Sequence, residues 1–139
     1  MYAACAAAEK IIIISTHILE EVDAVCTRAI IIAGGRIVAD ETPETLIHRS
    51  RYHNAVSIHL AHSADLGAVT DELQRLAEVE HIEVDTHEYS VTAFPKRGTT
   101  LLTVISELAA ARRWPIEDLR LEAGRLDEVF RSITTQDAA

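Results

Sequence analysis

Four consecutive isoleucines, Ile11 to Ile14, constrain this chain more than any other feature. β-Branched side chains favour extended backbone. A run of them without alternation reads as a strand buried on both faces, the pattern of a parallel sheet covered by helices. The run stops at Ser15-Thr16-His17, residues that suit a strand-to-helix turn. Ile18, Val22, Val25 and Cys26 then recur on one face of a helix. Glu20, Glu21 and Asp23 sit early in that helix, near the positive end of its dipole. Tyr2 to Ala8, ahead of the run, is rich in small residues and reads as the tail of a helix.

Ala29 to Ala33 is again wholly apolar, Gly34-Gly35 supplies a hairpin turn, and Arg36 to Ala39 returns as a strand. Thr42-Pro43-Glu44 has the form of a helix start, a capping hydroxyl followed by Pro at the first helical position. Leu46 to Ser50 would be that helix, and Arg49 to Asn54 reads as a polar linker. Residues 1–50 are thus expected to be an α/β fragment, too small to form a whole domain.

From residue 54 the pattern changes. Val56, Ile58 and Leu60 alternate with polar residues as a half-buried strand. Leu66, Val69, Leu73 and Leu76 mark an amphipathic helix. Ile82 and Val84 lead through a turn near His87-Glu88 to Tyr89, Val91 and Ala93, a hairpin. Thr99 or Thr100 can cap a helix carrying Leu101, Val104, Ile105 and Leu108, which should end near Trp114-Pro115 because Pro115 cannot continue it. Leu119 and Leu121 mark another strand, and Leu126, Val129, Phe130 and Ile133 a terminal helix. This β-α-β-β-α-β order predicts an α+β ferredoxin-like module over residues 54–139, ending in a helix.

Charge and cysteine content exclude several roles. With 13 Lys and Arg against 22 Asp and Glu, the net charge of −9 leaves no basic face for nucleic acid. The longest apolar runs are a few residues, so direct membrane insertion is not expected. No basic segment leads into an apolar one, so no secretory signal is expected. Cys5 and Cys26 form no CxxC, which points to a reducing, cytoplasmic setting.

The stretch from Ile11 to Glu44 resembles the last part of the nucleotide-binding domain of ABC transporters. The resemblance is carried by Ser15, Thr16, His17, Glu20, Glu21, Arg28, Gly35, Arg36, Ile37, Thr42, Pro43 and Glu44, with Glu41 standing where the family usually has Gly. Leu126 to Thr134 looks like the ending of an accessory domain carried by ATPases of ABC-2-type exporters. The resemblance implies that His17 is the switch histidine, reaching the γ-phosphate and the attacking water, with Ser15 and Thr16 adjoining the nucleotide. It implies ATP and Mg²⁺ as ligands of the parent enzyme. A transmembrane permease and a second ATPase subunit would be its partners at the inner face of the cell membrane. The sequence holds no G-x-x-x-x-G-K-[ST] loop and no LSGGQ-type signature. The chain therefore reads as the C-terminal remainder of an ATPase, unable to hydrolyse or bind ATP alone.

On its own chemistry His17 is an ordinary turn histidine, and only its flanking pattern singles it out. His59 with His62, His48 with His53, and His81 with His87 lack a third ligand at a metal-binding spacing, so no metal is expected. Glu83 and Asp85 read as the wet face of a strand, and Cys26 as a small core residue. A reading of a different class is a free-standing ferredoxin-like module that binds a small molecule or self-associates, with residues 1–50 vestigial. Under either reading the uncovered apolar strands predict self-association through residues 1–50.

Overall fold

A computed structural model of the chain describes residues 2–7 and 10–137. They fall into two compact units, one of Met1–Ser50 with Gly124–Ala139, the other of Arg51–Ala123.

The first unit contains a four-stranded sheet. Its strands are β1 (Tyr2–Ala7), β2 (Lys10–Ser15), β3 (Arg28–Ala33) and β4 (Arg36–Glu41), in the order β2-β1-β3-β4 with every neighbouring pair antiparallel. Helices α1 (Leu19–Val25), α2 (Pro43–Ile47) and α5 (Leu126–Asp137) accompany it. Val22, Ala29, Ile31, Ala39, Leu46, Leu126 and Val129 form its core.

Several expectations need correction here. Tyr2–Ala7 is a strand rather than the tail of a helix, and Ala8 lies outside the described residues. The sheet is antiparallel, and the isoleucine run is not buried. Ile11 is 82 % exposed, Ile13 70 % and Ile12 46 %. A β-branched run favours a strand wherever that strand lies; β2 is the sheet's edge, and the core forms over β3 and β4 instead. Of the apolar residues near α1, only Val22 is buried, while Ile18 and Val25 are exposed and Cys26 is half-buried.

The turns follow their chemistry. Gly34 and Gly35 both take positive φ, 58° and 75°, as a two-residue hairpin between β3 and β4 requires. At α2 the Thr42 hydroxyl accepts the Thr45 N–H at 3.1 Å and Pro43 occupies the first turn. The helix begins at Pro43, as the Thr42-Pro43 start predicts, and ends at Ile47 rather than Ser50.

The terminal helix α5, grouped above with residues 54–139, packs instead with the first unit's core through Leu126 and Val129. Nor is the segment at 49–54 a free polar linker. Ser50 is buried, donating to Glu128 Oε2 at 2.7 Å and accepting the Arg125 N–H at 3.0 Å. Gly124 reaches this contact at φ 112°, and a Cβ there would lie 2.7 Å from the Ile47 carbonyl oxygen.

The second unit runs β5 (Val56–Leu60), α3 (Leu66–Gln74), β6 (Val79–Asp85), β7 (Ser90–Pro95), α4 (Leu102–Arg112) and β8 (Ile116–Leu121). Its sheet has the order β6-β7-β5-β8, again antiparallel throughout. Val56, Ile58 and Leu60 face Val69 and Leu73 of α3 and Ile105 of α4 in one core. Their alternation with Ser57 and His59 is the period of a sheet with one covered face.

On the other face Ser57 donates to Glu122 at 2.8 Å and shares a 3.0 Å hydrogen bond with Thr92. Glu83 is not simply solvated there. It accepts from the Tyr52 hydroxyl at 3.0 Å and pairs with Arg51 at 2.9 Å. Tyr52 in turn packs edge-on against Phe94, centroids 5.1 Å apart.

Helix α4 is not capped by a threonine side chain. Leu101 holds the cap position, and Thr99 donates to the Lys96 carbonyl instead. The helix ends as Arg113 turns left-handed at φ 53° and the Trp114 N–H reaches the Ala109 carbonyl.

Candidate functional site

The loop Ser15–Thr16–His17 joins the end of β2 to the start of α1. Thr16 shapes it. Its hydroxyl accepts the Ile18 N–H at 3.0 Å and donates to Glu21 Oε2 at 2.8 Å. A hydroxyl has one hydrogen to give, so Thr16 is committed to the turn. Sequence reasoning missed this pairing of Thr16 with Glu21; the signal for it is an acid one turn into a helix that follows a Thr-containing turn.

Ser15 and His17 are both exposed. The His17 imidazole makes no hydrogen bond or ion pair among the described residues, so both ring nitrogens remain available to donate or accept.

Beside the loop lies an open cleft of about 480 Å³, lined by Ile14, Thr16, Glu20, Ala24, Val25 and Cys26, with Glu21 completing it. The structure brings Thr16 to this cleft and leaves Ser15 and His17 outside its lining. Apolar walls with Glu20 and Glu21 suit neither triphosphate nor its charge, since anions are held by N–H groups and cations. The residues present around His17 do not by themselves fit a nucleotide.

Metal binding finds no better support. Among the described residues no group of three or more His, Cys, Asp or Glu side chains is placed to hold a metal ion. Nor is any helix among them long and apolar enough to cross a membrane.

No protein-family model matches the chain. Over 123 residues, 88 % of its length, it is 29 % identical to the daunorubicin resistance ATP-binding protein DrrA2 of Streptomyces coeruleorubidus. The match covers 38 % of that relative, so the chain spans about two fifths of the length of the protein it resembles. A match of 123 residues is longer than either compact unit, so it draws on both. The chain is thereby related to a part of an ATP-binding protein.

Proposed function

We propose that the chain is the C-terminal part of the ATP-binding subunit of an ABC transporter. The observation that carries this reading is the extent of the similarity, which draws on both units of the chain. In this reading His17 is the switch histidine, with Ser15 and Thr16 beside it, and residues 54–121 are a ferredoxin-like accessory module with a regulatory or dimerising role. The order β6-β7-β5-β8 with all neighbours antiparallel supports that description of the module.

Nucleotide and Mg²⁺ are held chiefly by parts of the longer protein outside these 139 residues, and the chain alone is not catalytically competent. Its partners are a second ATPase subunit and a transmembrane permease, which keep it at the cytoplasmic face of the membrane. His17 contributes an imidazole at a strand end, on a turn shaped by the Thr16 hydroxyl's bonds to Ile18 and Glu21, with ring nitrogens able to donate and accept.

The test is His17→Ala in the full-length ATPase. Turnover should fall about 100-fold, the scale of a positioned proton-handling group, with ATP affinity changed only a few-fold. Unchanged turnover would remove His17 from the reaction. A full-length protein that neither binds nor hydrolyses ATP would overturn the family reading itself.

A further inference from the structure

We infer that Glu21 is a positioning residue for His17, acting through the Thr16 hydroxyl; the inference rests on the reading of His17 proposed above. Helix α1 starts poorly by its own sequence. Its N-cap is Ile18, among the least suited residues for that place, and the Ile18 side chain caps nothing. In a capping box the acid at the third helical position reaches back and accepts the N–H of the cap residue directly. Glu21 holds that third position, counted from Leu19. Its carboxylate instead takes the Thr16 hydroxyl at 2.8 Å, and that hydroxyl accepts the Ile18 N–H at 3.0 Å. The box is closed through a relay.

His17 lies inside that relay. Thr16 and Ile18, its two neighbours in the chain, are tied to each other and, through Glu21, to the first turn of α1. The backbone that carries the imidazole is thereby constrained, while the exposed side chain stays free to meet a ligand. Every bond of the relay joins residues within six consecutive positions, so it needs nothing from outside the segment.

The carboxylate decides what Thr16 can do. A hydroxyl has one hydrogen, and a charged acceptor holds it more firmly than a neutral one. With that hydrogen given to Glu21, a Thr16 lone pair is turned to the Ile18 N–H. Without Glu21 the hydroxyl rotates and the turn loses its tie to the helix. Thr16 is thus assigned to the turn rather than to a phosphate. A group that only sets the aim of another acts on turnover, because misaim weakens the reacting geometry and leaves ground-state binding alone.

Steady-state kinetics of the full-length ATPase test this. Glu21→Ala and Thr16→Val should each lower kcat about five- to tenfold, the scale of one hydrogen bond, with KM for ATP moved by no more than about twofold. The double variant should be no worse than either single one, since both break the same relay. Glu21→Gln keeps an acceptor oxygen without the charge and should restore most of the turnover. Glu20→Ala removes an exposed acid from the same helical turn and should change nothing. In the 139-residue chain, Ile18 amide exchange should quicken in Glu21→Ala and not in Glu21→Gln, a readout independent of turnover. Equal losses in Glu21→Gln and Glu21→Ala would make Glu21 a helix-end charge and overturn the inference. Lost ATP affinity in Thr16→Val overturns it too, by placing the hydroxyl on the nucleotide. If His17→Ala lowers turnover and Glu21→Ala does not, the inference falls and the reading of His17 stands. If His17→Ala leaves turnover unchanged, that reading falls and takes the positioning role with it.

Discussion

Replacing Gly124 by Ala adds one methyl group, and the structure sets what that should cost. The backbone at Gly124 has φ 112°, a conformation side-chain-bearing residues rarely hold, worth about 1–3 kcal/mol in strain. The new Cβ would stand 2.7 Å from the Ile47 carbonyl oxygen, 2.8 Å from Ile47 Cγ2 and 3.3 Å from Ser50 Cβ. Backbone cannot swing aside as a flexible side chain does, so overpacking adds roughly 1–3 kcal/mol more. Relaxation would pull Arg125 N–H off the Ser50 hydroxyl and shift Leu126 from the core it shares with Leu46. The two terms overlap, and about 3–4 kcal/mol is the expected loss. With a urea m-value of about 2 kcal/mol/M, the unfolding midpoint of the first unit should fall by roughly 1.5–2 M.

Gly67→Ala is the matched control. Gly67 lies in α3, where an added methyl would meet nothing within 4 Å, so the same substitution should stabilise by up to about 1 kcal/mol. Trp114, the single tryptophan, reports the second unit, and far-UV circular dichroism reports both. A Gly124→Ala midpoint within experimental scatter of the parent would refute the argument from backbone strain and close approach.

Two further outcomes follow from local chemistry. Thr42→Ala removes the hydroxyl that caps α2 and should cost about 1 kcal/mol in urea unfolding, with Thr42→Ser recovering most of it. Asp85 is held below the usual carboxylate range because its Oδ1 accepts N–H bonds from Glu88 and His87, helped by the nearby His87 and His59 charges. A depressed folded pKa gives stability that is present above the unfolded value, about 3.9, and lost as pH falls through the folded one. Asp85→Asn should therefore lower stability at neutral pH and flatten the acid limb of the stability–pH curve, the two proteins converging as pH falls below about 4.

Much of the local structure was legible because single residues dictate it. Gly34-Gly35 admits the positive φ values of a tight hairpin, Thr42-Pro43 a helix start, and the alternation from Val56 to Leu60 a one-sided strand. The loop at Ser15–His17 was equally legible as a turn between strand and helix. What periodicity does not carry is which partner an apolar face will find. The isoleucines of β2 specify extended backbone, yet their exposure follows from β1 lying between them and the core-forming strands. Ser50 reads as linker because its role depends on Glu128 and Arg125, far away in the chain. Thr99 offered a cap, but the chain bends earlier and its hydroxyl satisfies Lys96 instead.

The same limit explains α5, and its placement bears on the site. Leu126, Val129, Phe130 and Ile133 specify an amphipathic helix under any arrangement, and nothing in their spacing says which core receives it. In the structure Leu126 and Val129 share a core with Val22, with Phe130 and Ile133 packed against it. Val22 lies in α1, the helix that opens just after His17 and whose Glu21 fixes Thr16. The terminal helix and α1, which follows the turn that presents the candidate histidine, thus contribute to the same core. In packing terms residues 51–123 interrupt a unit that is completed only when the chain returns at Gly124. The His17 loop thus rests on a core that is only complete once residues from the far end of the chain have joined it.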